Sequence, residues 1–454
     1  MHELPPTDLR NWRKQALIHL DHCVHGSPDF FHWHRHYITQ YELICGHLIG
    51  NPTFALAYWD WTADTGKIPD PFYDLDFLNV SYWKDPSGAQ SPKWGGLVDT
   101  IGTRGLSKGE GLQDRDRPGR INFIASFIHD IQGNSRYDLY QRGVEDQAHG
   151  TAHGVVGANA DGPLNGHMAS GMSPLDPIFW LHHCNVDRLW EEWNAAGNTT
   201  PPMSQTYQNH FCNVDGKPIT ANAAGALDAT KLGFRYQRSE LAVALAPAPR
   251  APAVGAPAPG AARPAAMPAE PVQKQLRESQ VVIQERAIGT RSNGATATVG
   301  VPTAIPVAAT GATSVLLSQR TFRTLNSQGQ KHLSAEGGRV LLRLNGVSID
   351  KESGVVLVNV FVNHPDVTAG TPSTDPHFAG AFSMFGHGGH AGHSVGGQDG
   401  TTIIVNATKV LIHLLQADRF GNEQISVQLV PIPASRRRRS DARVTVKSID
   451  VLRT

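Results

Sequence analysis

SPLDPIFWLHHCNVDRLW, residues 173–190, sets two adjacent histidines, His182 and His183, in an aromatic-rich segment entered through Pro174 and Pro177. Proline suits the approach and first turn of a helix and breaks its interior, so a helix is predicted over Phe179–Trp193 with both histidines in its first turns. Adjacent helical positions diverge by about 100°, so at most one of the pair naturally faces a given neighbour. About thirty residues upstream, EDQAHGTAHG (145–154) places His149 and His153 four apart. On a helix that spacing puts both imidazoles on one face. Zinc peptidases also use such a pair but need a glutamate directly after the first histidine; Gly150 stands there, which argues against zinc hydrolysis. Two helices then supply three imidazoles.

A second group lies nearer the start. CVHGSPDFFHWHRHYITQYE (23–42) places His25 at a turn with Gly26 and Pro28, and His34 at the start of a helix continuing to Glu42, among Phe30, Phe31 and Trp33. A buried imidazole needs a partner for each ring nitrogen, and a metal is one such partner. NWRKQALIHLDHC (11–23) reads as a helix whose end offers His19 and His22, and either can complete this group. Three neutral nitrogens per ion, without carboxylate or thiolate, suit copper better than magnesium, calcium or iron. Two such sets suit a pair of coppers, whose charges can stabilise reduced dioxygen and leave positions open for a phenolate.

The rest of the chain is consistent with this. Lys+Arg 40 balances Asp+Glu 40 over 454 residues, so no broad footprint for nucleic acid or an anionic membrane is expected and the substrate is read as neutral. No apolar run approaches a membrane span, and MHELPPTDLRNW has neither a basic nor an apolar leader region, which predicts a cytoplasmic enzyme. Four scattered cysteines make no disulfide framework. Residues 1–241 hold all nine tryptophans. Helical periodicity is clearest at Leu9–Leu20, Tyr37–Ile49, Ile121–Ile131 and Phe179–Trp193, and this region is predicted to be a mainly α catalytic domain. Residues 242–271 are Ala/Pro/Gly-rich and read as an extended linker. Residues 272–454 carry alternating runs, among them GRVLLRLNGVSI, VVLVNVFVN, TTIIVNA, QISVQLVPI and RVTVKSIDV, and are predicted to form an all-β sandwich of about six or seven strands. His387, His390 and His393 read as a surface loop rather than a copper shuttle, and Arg436–Arg439 as solvated.

These motifs resemble the tyrosinase family of type 3 copper proteins. Its copper-A pattern is matched by His25, Phe30, Trp33-His34-Arg35 and Glu42. Its copper-B pattern is matched by Asp176-Pro177-Ile178-Phe179-Trp180-Leu181-His182-His183 and Asp187. AYWDWT (57–62) resembles a signature that usually begins with proline, and KLGFRYQ (231–237) a closing tyrosine motif. The resemblance implies a four-helix bundle holding two copper ions. It makes His25 and His34 copper-A ligands and His149, His153 and His183 copper-B ligands, and IHLDHC (18–23) resembles the plant enzymes closely enough to choose His19 as the sixth. It further implies a thioether between Cys23 and His25, Phe179 packed on the copper-B ligands, and His182, Glu42 and Asp187 as outer partners, the carboxylates orienting imidazoles or pairing with Arg35 and Arg188. Glu145 matches the glutamate that holds a water for deprotonating a monophenol, whereas Gly150 occupies the place of the asparagine that assists it. The implied reaction is oxidation by O2 of small phenols to o-quinones, diphenol oxidation more securely than monophenol hydroxylation, with assembly into a homo-oligomer left open. A catechol oxidase and a hemocyanin-like oxygen carrier are the alternatives. VNVFVNHPD, DPHFAGAF and ISVQLVPI resemble the C-terminal domain of plant polyphenol oxidases, so the chain reads as a bacterial member whose β domain is lid-like.

Overall fold

Asn11 starts the first helix by accepting the Arg13 N–H, and Trp12–His22 follows. The computed structural model describes residues 1–75, 104–112, 128, 131–157, 166–236, 286–287, 295–298, 303–308, 320–325, 331–336, 339–349, 355–383, 401–417, 424–433 and 443–453. The second helix, Phe30–Leu48, begins four residues before His34, the expected helix start, and seven before the Tyr37–Ile49 stretch of clear periodicity. Phe30 through Thr39 are all buried, so no polar face marks its start and the alternating histidines conceal it. Tyr137–Arg142 is α-helical, Gly143–His149 winds as a π-helix, and Gly150–Gly157 returns to α, in unbroken succession. The helix Ile178–Ala195 begins where Asp176 Oδ1 accepts the Ile178 N–H at 3.1 Å. The predicted Ile121–Ile131 helix falls largely outside the described residues, although Ile128 and Ile131 are buried.

Two helices are locked by charge. Arg35 Nε donates to Asp187 Oδ1 at 2.7 Å, its Nη2 lies 2.6 Å from Glu191, and the guanidinium covers Trp190 at 4.0 Å. Tyr236 donates to the other Asp187 oxygen at 2.8 Å, which ties the closing segment to the same point. Arg188 is fully buried, bonded to Asn185 and Glu192, and is therefore not on a solvated face. The WDW segment runs alongside: the Trp59 N–H donates to Leu181 O at 3.0 Å. Trp59 and Trp61 are both buried. Close approach fixes Gly157, where an added Cβ would stand 2.2 Å from the Ala169 nitrogen.

The second half is built from two larger sheets. One runs in the order Phe378–Ser383, Val355–Val362, Gln424–Pro433, Thr303–Ala308. The other centres on Val340–Ile349, which pairs antiparallel with Ser448–Arg453, Arg443–Val446 and Thr401–Asn406. Val358, Val360, Val362, Val427 and Leu429 of the first sheet share one apolar core with Leu342, Leu344, Ile403, Val405 and Val451 of the second. The helix Thr408–Gln416 adds Val410, Leu411 and Leu414 to it. The Ala/Pro linker, the His387–His393 loop and Arg436–Arg439 lie outside the described residues. The halves touch along the Tyr137–Gly157 segment: Leu139 packs with Leu341, Leu452 and Ile404, and Ala381 joins the helical core. Among the described residues no helix is long and apolar enough to cross a membrane.

Candidate metal centre

The helices bring the predicted histidines together in two groups. His19, His25 and His34 form one, with ligand nitrogens within 4.8 Å of one another; His149, His153, His182 and His183 form the other on the same measure. The groups face each other: the His34 and His183 rings stack at 4.4 Å, and His25 lies 5.5 Å from His149. All seven are buried. His19 rather than His22 completes the first group, while His22 stacks on His210 at 4.4 Å.

Main-chain carbonyls orient four of the rings. The Nδ1 atoms of His19, His34, His149 and His153 meet the oxygens of Gly171, Phe30, Glu145 and Met168 at 2.9, 2.8, 3.1 and 2.8 Å. A carbonyl only accepts, so each Nδ1 carries the proton and each Nε2 presents a lone pair, the tautomer a metal requires. Burial, reinforced by neighbouring imidazoles, holds His34, His153, His182 and His183 well below the ordinary histidine range, so these rings stay neutral.

His182 departs from expectation. Its ring lies 5.2 Å from His149 and 4.7 Å from His153, so both members of the adjacent pair pack against the i,i+4 histidines. His183 alone of the two also stacks on His34. Phe179 sits at the join, 4.3 Å from His183, 5.9 Å from His153 and 5.1 Å from His19, so it packs on both groups rather than one. Glu42 orients no imidazole and does not meet Arg35; its carboxylate takes the Leu56 N–H at 2.8 Å and fixes the following loop. Asp187 pairs with Arg35 as expected.

Glu145 is buried beside the first group. One oxygen accepts the N–H of Gly26, whose φ of 72° makes the turn after His25, at 2.5 Å; the other accepts from Gln141. Gly150 offers no side chain, and its N–H points back to Glu145 O. Cys23 ends the first helix two residues before His25, and burial followed by the Glu145 charge pushes its thiol up. Arg104 and Asp176 form a buried pair at 2.7 Å that holds the entry to the helix Ile178–Ala195; Asp176 belongs to the quoted Asp-Pro motif, whereas Arg104, 72 residues away, carries no local signal.

Residues 1–94 and 121–196 match the common central domain of tyrosinase. Over these residues the helical half is similar to the tyrosinase family. Residues 296–454 match a domain of unknown function, DUF7868. Polyphenol oxidase II of Ipomoea batatas is 28% identical over 277 residues, covering 53% of this chain and 46% of the relative. (+)-Larreatricin hydroxylase of Larrea tridentata is 27% identical over 284 residues, covering 55% and 47%. The chain thus matches slightly under half the length of these curated relatives. In fold it is similar to a latent aurone synthase (TM-score 0.56, 21% identity, 99% of this chain and 84% of that one) and to a latent apple tyrosinase (0.53, 19%, 99% and 91%). The type 3 copper family to which this similarity points implies two copper ions, and the donors of the histidine centre fit them. Its donors are imidazoles only. His34 Nε2 and both nitrogens of His182 and His183 are buried without a hydrogen-bond partner, which is costly unless a metal takes them up.

Proposed function

We propose that the chain is a copper-dependent phenol oxidase that uses O2 to oxidise o-diphenols to o-quinones and also hydroxylates monophenols. The observation that carries this is the face-to-face placement of the two buried histidine groups, with His34 stacked on His183 at 4.4 Å. When bound, a copper pair supplies two-electron reduction of O2 and a Lewis-acidic site for a phenolate. The protein's own part is to hold six imidazole lone pairs in place: His19, His25 and His34 for one ion, His149, His153 and His183 for the other, with His182 against the second group. Phe179 excludes water between them. Glu145 would hold the water that takes a monophenol's proton. With Gly150 contributing no side chain, hydroxylation is expected to be the slower activity. The names of the relatives, polyphenol oxidases and one hydroxylase, support both. Within the same reading, Cys23 forms the thioether to His25, and the β half acts as a lid over the site.

The test is an aerobic assay of copper-loaded protein with a monophenol and its catechol, with His183→Ala alongside. Two coppers per chain, quinone from both phenols and none from the variant are expected. Quinone from the catechol alone would reduce the reading to catechol oxidase, reversible O2 uptake without turnover would indicate a carrier, and zinc in place of copper would end it. Unfolded protein lighter by two hydrogens, with three reactive thiols, is expected from the thioether; four reactive thiols would exclude it. Removing the residues after 271 should raise turnover per bound copper if the β half is a lid, and unchanged turnover per bound copper would dismiss that role.

A further inference from the structure

The π-helical winding of Gly143–His149 sits between two α-helical stretches of one continuous segment. Such turns are rare and closed by i→i+5 bonds, so something holds this one. On an α-helix Arg142 and Gln147, five apart, would diverge by about 140°. Here both donate to one strand: Arg142 Nη2 to Thr402 O at 2.7 Å and Gln147 Nε2 to Ile404 O at 2.6 Å. Carbonyls two residues apart on a strand point to the same edge, roughly 6.7 Å from one another. Among the described residues the strand Thr401–Asn406 pairs only with Val340–Ile349, so these two carbonyls lie on its open edge. The π winding thus matches the spacing of one helix face to the acceptors of an edge strand some 250 residues away, the separations of the two bonds being 260 and 257.

The same winding places a metal-binding ring. The Gly150 N–H reaches Glu145 O, five residues back, and that carbonyl also takes Nδ1 of His149 at 3.1 Å. Regular α winding would hand the Glu145 carbonyl to the main-chain N–H of His149 instead and turn the orienting acceptor away from the imidazole.

We propose that Arg142 and Gln147 are positioning residues through which the β half holds the π turn and so keeps His149 aimed at the second metal position. The β half on this view grips the site in addition to covering it. The inference rests on His149 being a copper ligand. Arg142 Nη1 also stands 3.7 Å from Glu145 and its Nε 3.6 Å from Asp146, so a lysine would keep the charge but lose the fork that reaches the strand.

The experiment uses the full-length copper-loaded protein with Gln147→Ala, Arg142→Ala, Arg142→Lys and, as a control, Arg339→Ala. Arg339 donates to Gly133 O at 2.6 Å, so the control loosens the contact between the halves away from the π turn. Copper per chain is measured against time in a chelator, together with the near-ultraviolet absorption that hydrogen peroxide develops with a copper pair. Outer partners of metal-bound histidines typically affect affinity 10–100-fold. Gln147→Ala and Arg142→Ala should therefore lose one of two coppers roughly tenfold faster than wild type, with Arg142→Lys recovering part of the difference and Arg339→Ala matching wild type. Retention in Gln147→Ala and Arg142→Ala equal to that in Arg339→Ala overturns the proposal while leaving the copper reading intact. Failure of the wild type to hold two coppers sinks both. Should Arg142→Ala not fold, Gln147→Ala, which deletes one hydrogen bond, decides alone.

Discussion

The two halves are stabilised by opposite means. The β half closes over Val, Leu and Ile from both larger sheets, with Leu342, Leu344, Val360 and Leu429 fully buried. The helical half buries seven clustered histidines, the Arg35–Asp187 and Arg104–Asp176 pairs, and five fully buried tryptophans among them. An aliphatic core is worth its area removed from water. A core of imidazoles and ion pairs costs desolvation, which partners must offset. The difference teaches that the helical half is built for chemistry at the expense of self-sufficiency, and that its histidine centre reaches full stability only with metal.

The largest break in this contrast is His183→Ala. His183 touches both groups, so quinone formation should fall by far more than the roughly 10–100-fold expected for an outer partner, while near-ultraviolet circular dichroism of the copper-free chain changes little. Next comes Asp187→Asn, which leaves Arg35 buried with less than its full charge partner; urea unfolding should register a loss of about 3–5 kcal/mol in the helical transition. In the β half Leu429→Ala, in the sheet that does not carry the Arg142 and Gln147 acceptors, should cost about 2–5 kcal/mol by leaving a cavity, and copper content measured on the folded variant should be unchanged. Loss of copper there would break the separation of roles.

The smallest effect is a pH dependence. Burial pushes His167 down to about 4, against an ordinary value of 6.5, with Asp176 opposing and Arg104 assisting. The unfolded chain binds that proton first as the pH falls, so the stability associated with neutral His167 is present above pH 6.5 and is lost as the pH drops from there toward 4. At about 1.4 kcal/mol per pH unit, roughly 2 kcal/mol should go between pH 6.5 and 5. Urea melts of copper-free His167→Leu should have a shallower acid slope by about that amount, and an equal slope would assign the acid sensitivity to the other histidines.

The clustered histidines are legible because their pattern is local: an i,i+4 pair and a histidine near a helix start identify themselves. The strands at Val340–Ile349, Val355–Val362, Thr401–Asn406 and Gln424–Pro433 were equally plain from alternation. The second helix starts at Phe30 rather than at His34, because buried histidines and Arg35 read as polar and blur its periodicity before Tyr37. Angular spacing predicts that only one of His182 and His183 faces His149 and His153, yet both pack there. Glu42 was given a partner it does not have. The π turn, Arg142 and Gln147 were invisible: the winding depends on carbonyls of a strand in the other half, and no pattern within EDQAHGTAHG encodes them.

The acceptors that aim four of the imidazoles belong to the main chain, at Gly171, Phe30, Glu145 and Met168. A point substitution at any of those four positions changes a side chain and leaves the carbonyl in place. At Gly171, Phe30 and Met168 a saturation library should therefore tolerate replacements that spare packing, Glu145 being excepted because its carboxylate has its own bonds to Gly26 and Gln141; shortening a loop by one residue, which moves the carbonyl itself, should be as damaging as losing a histidine.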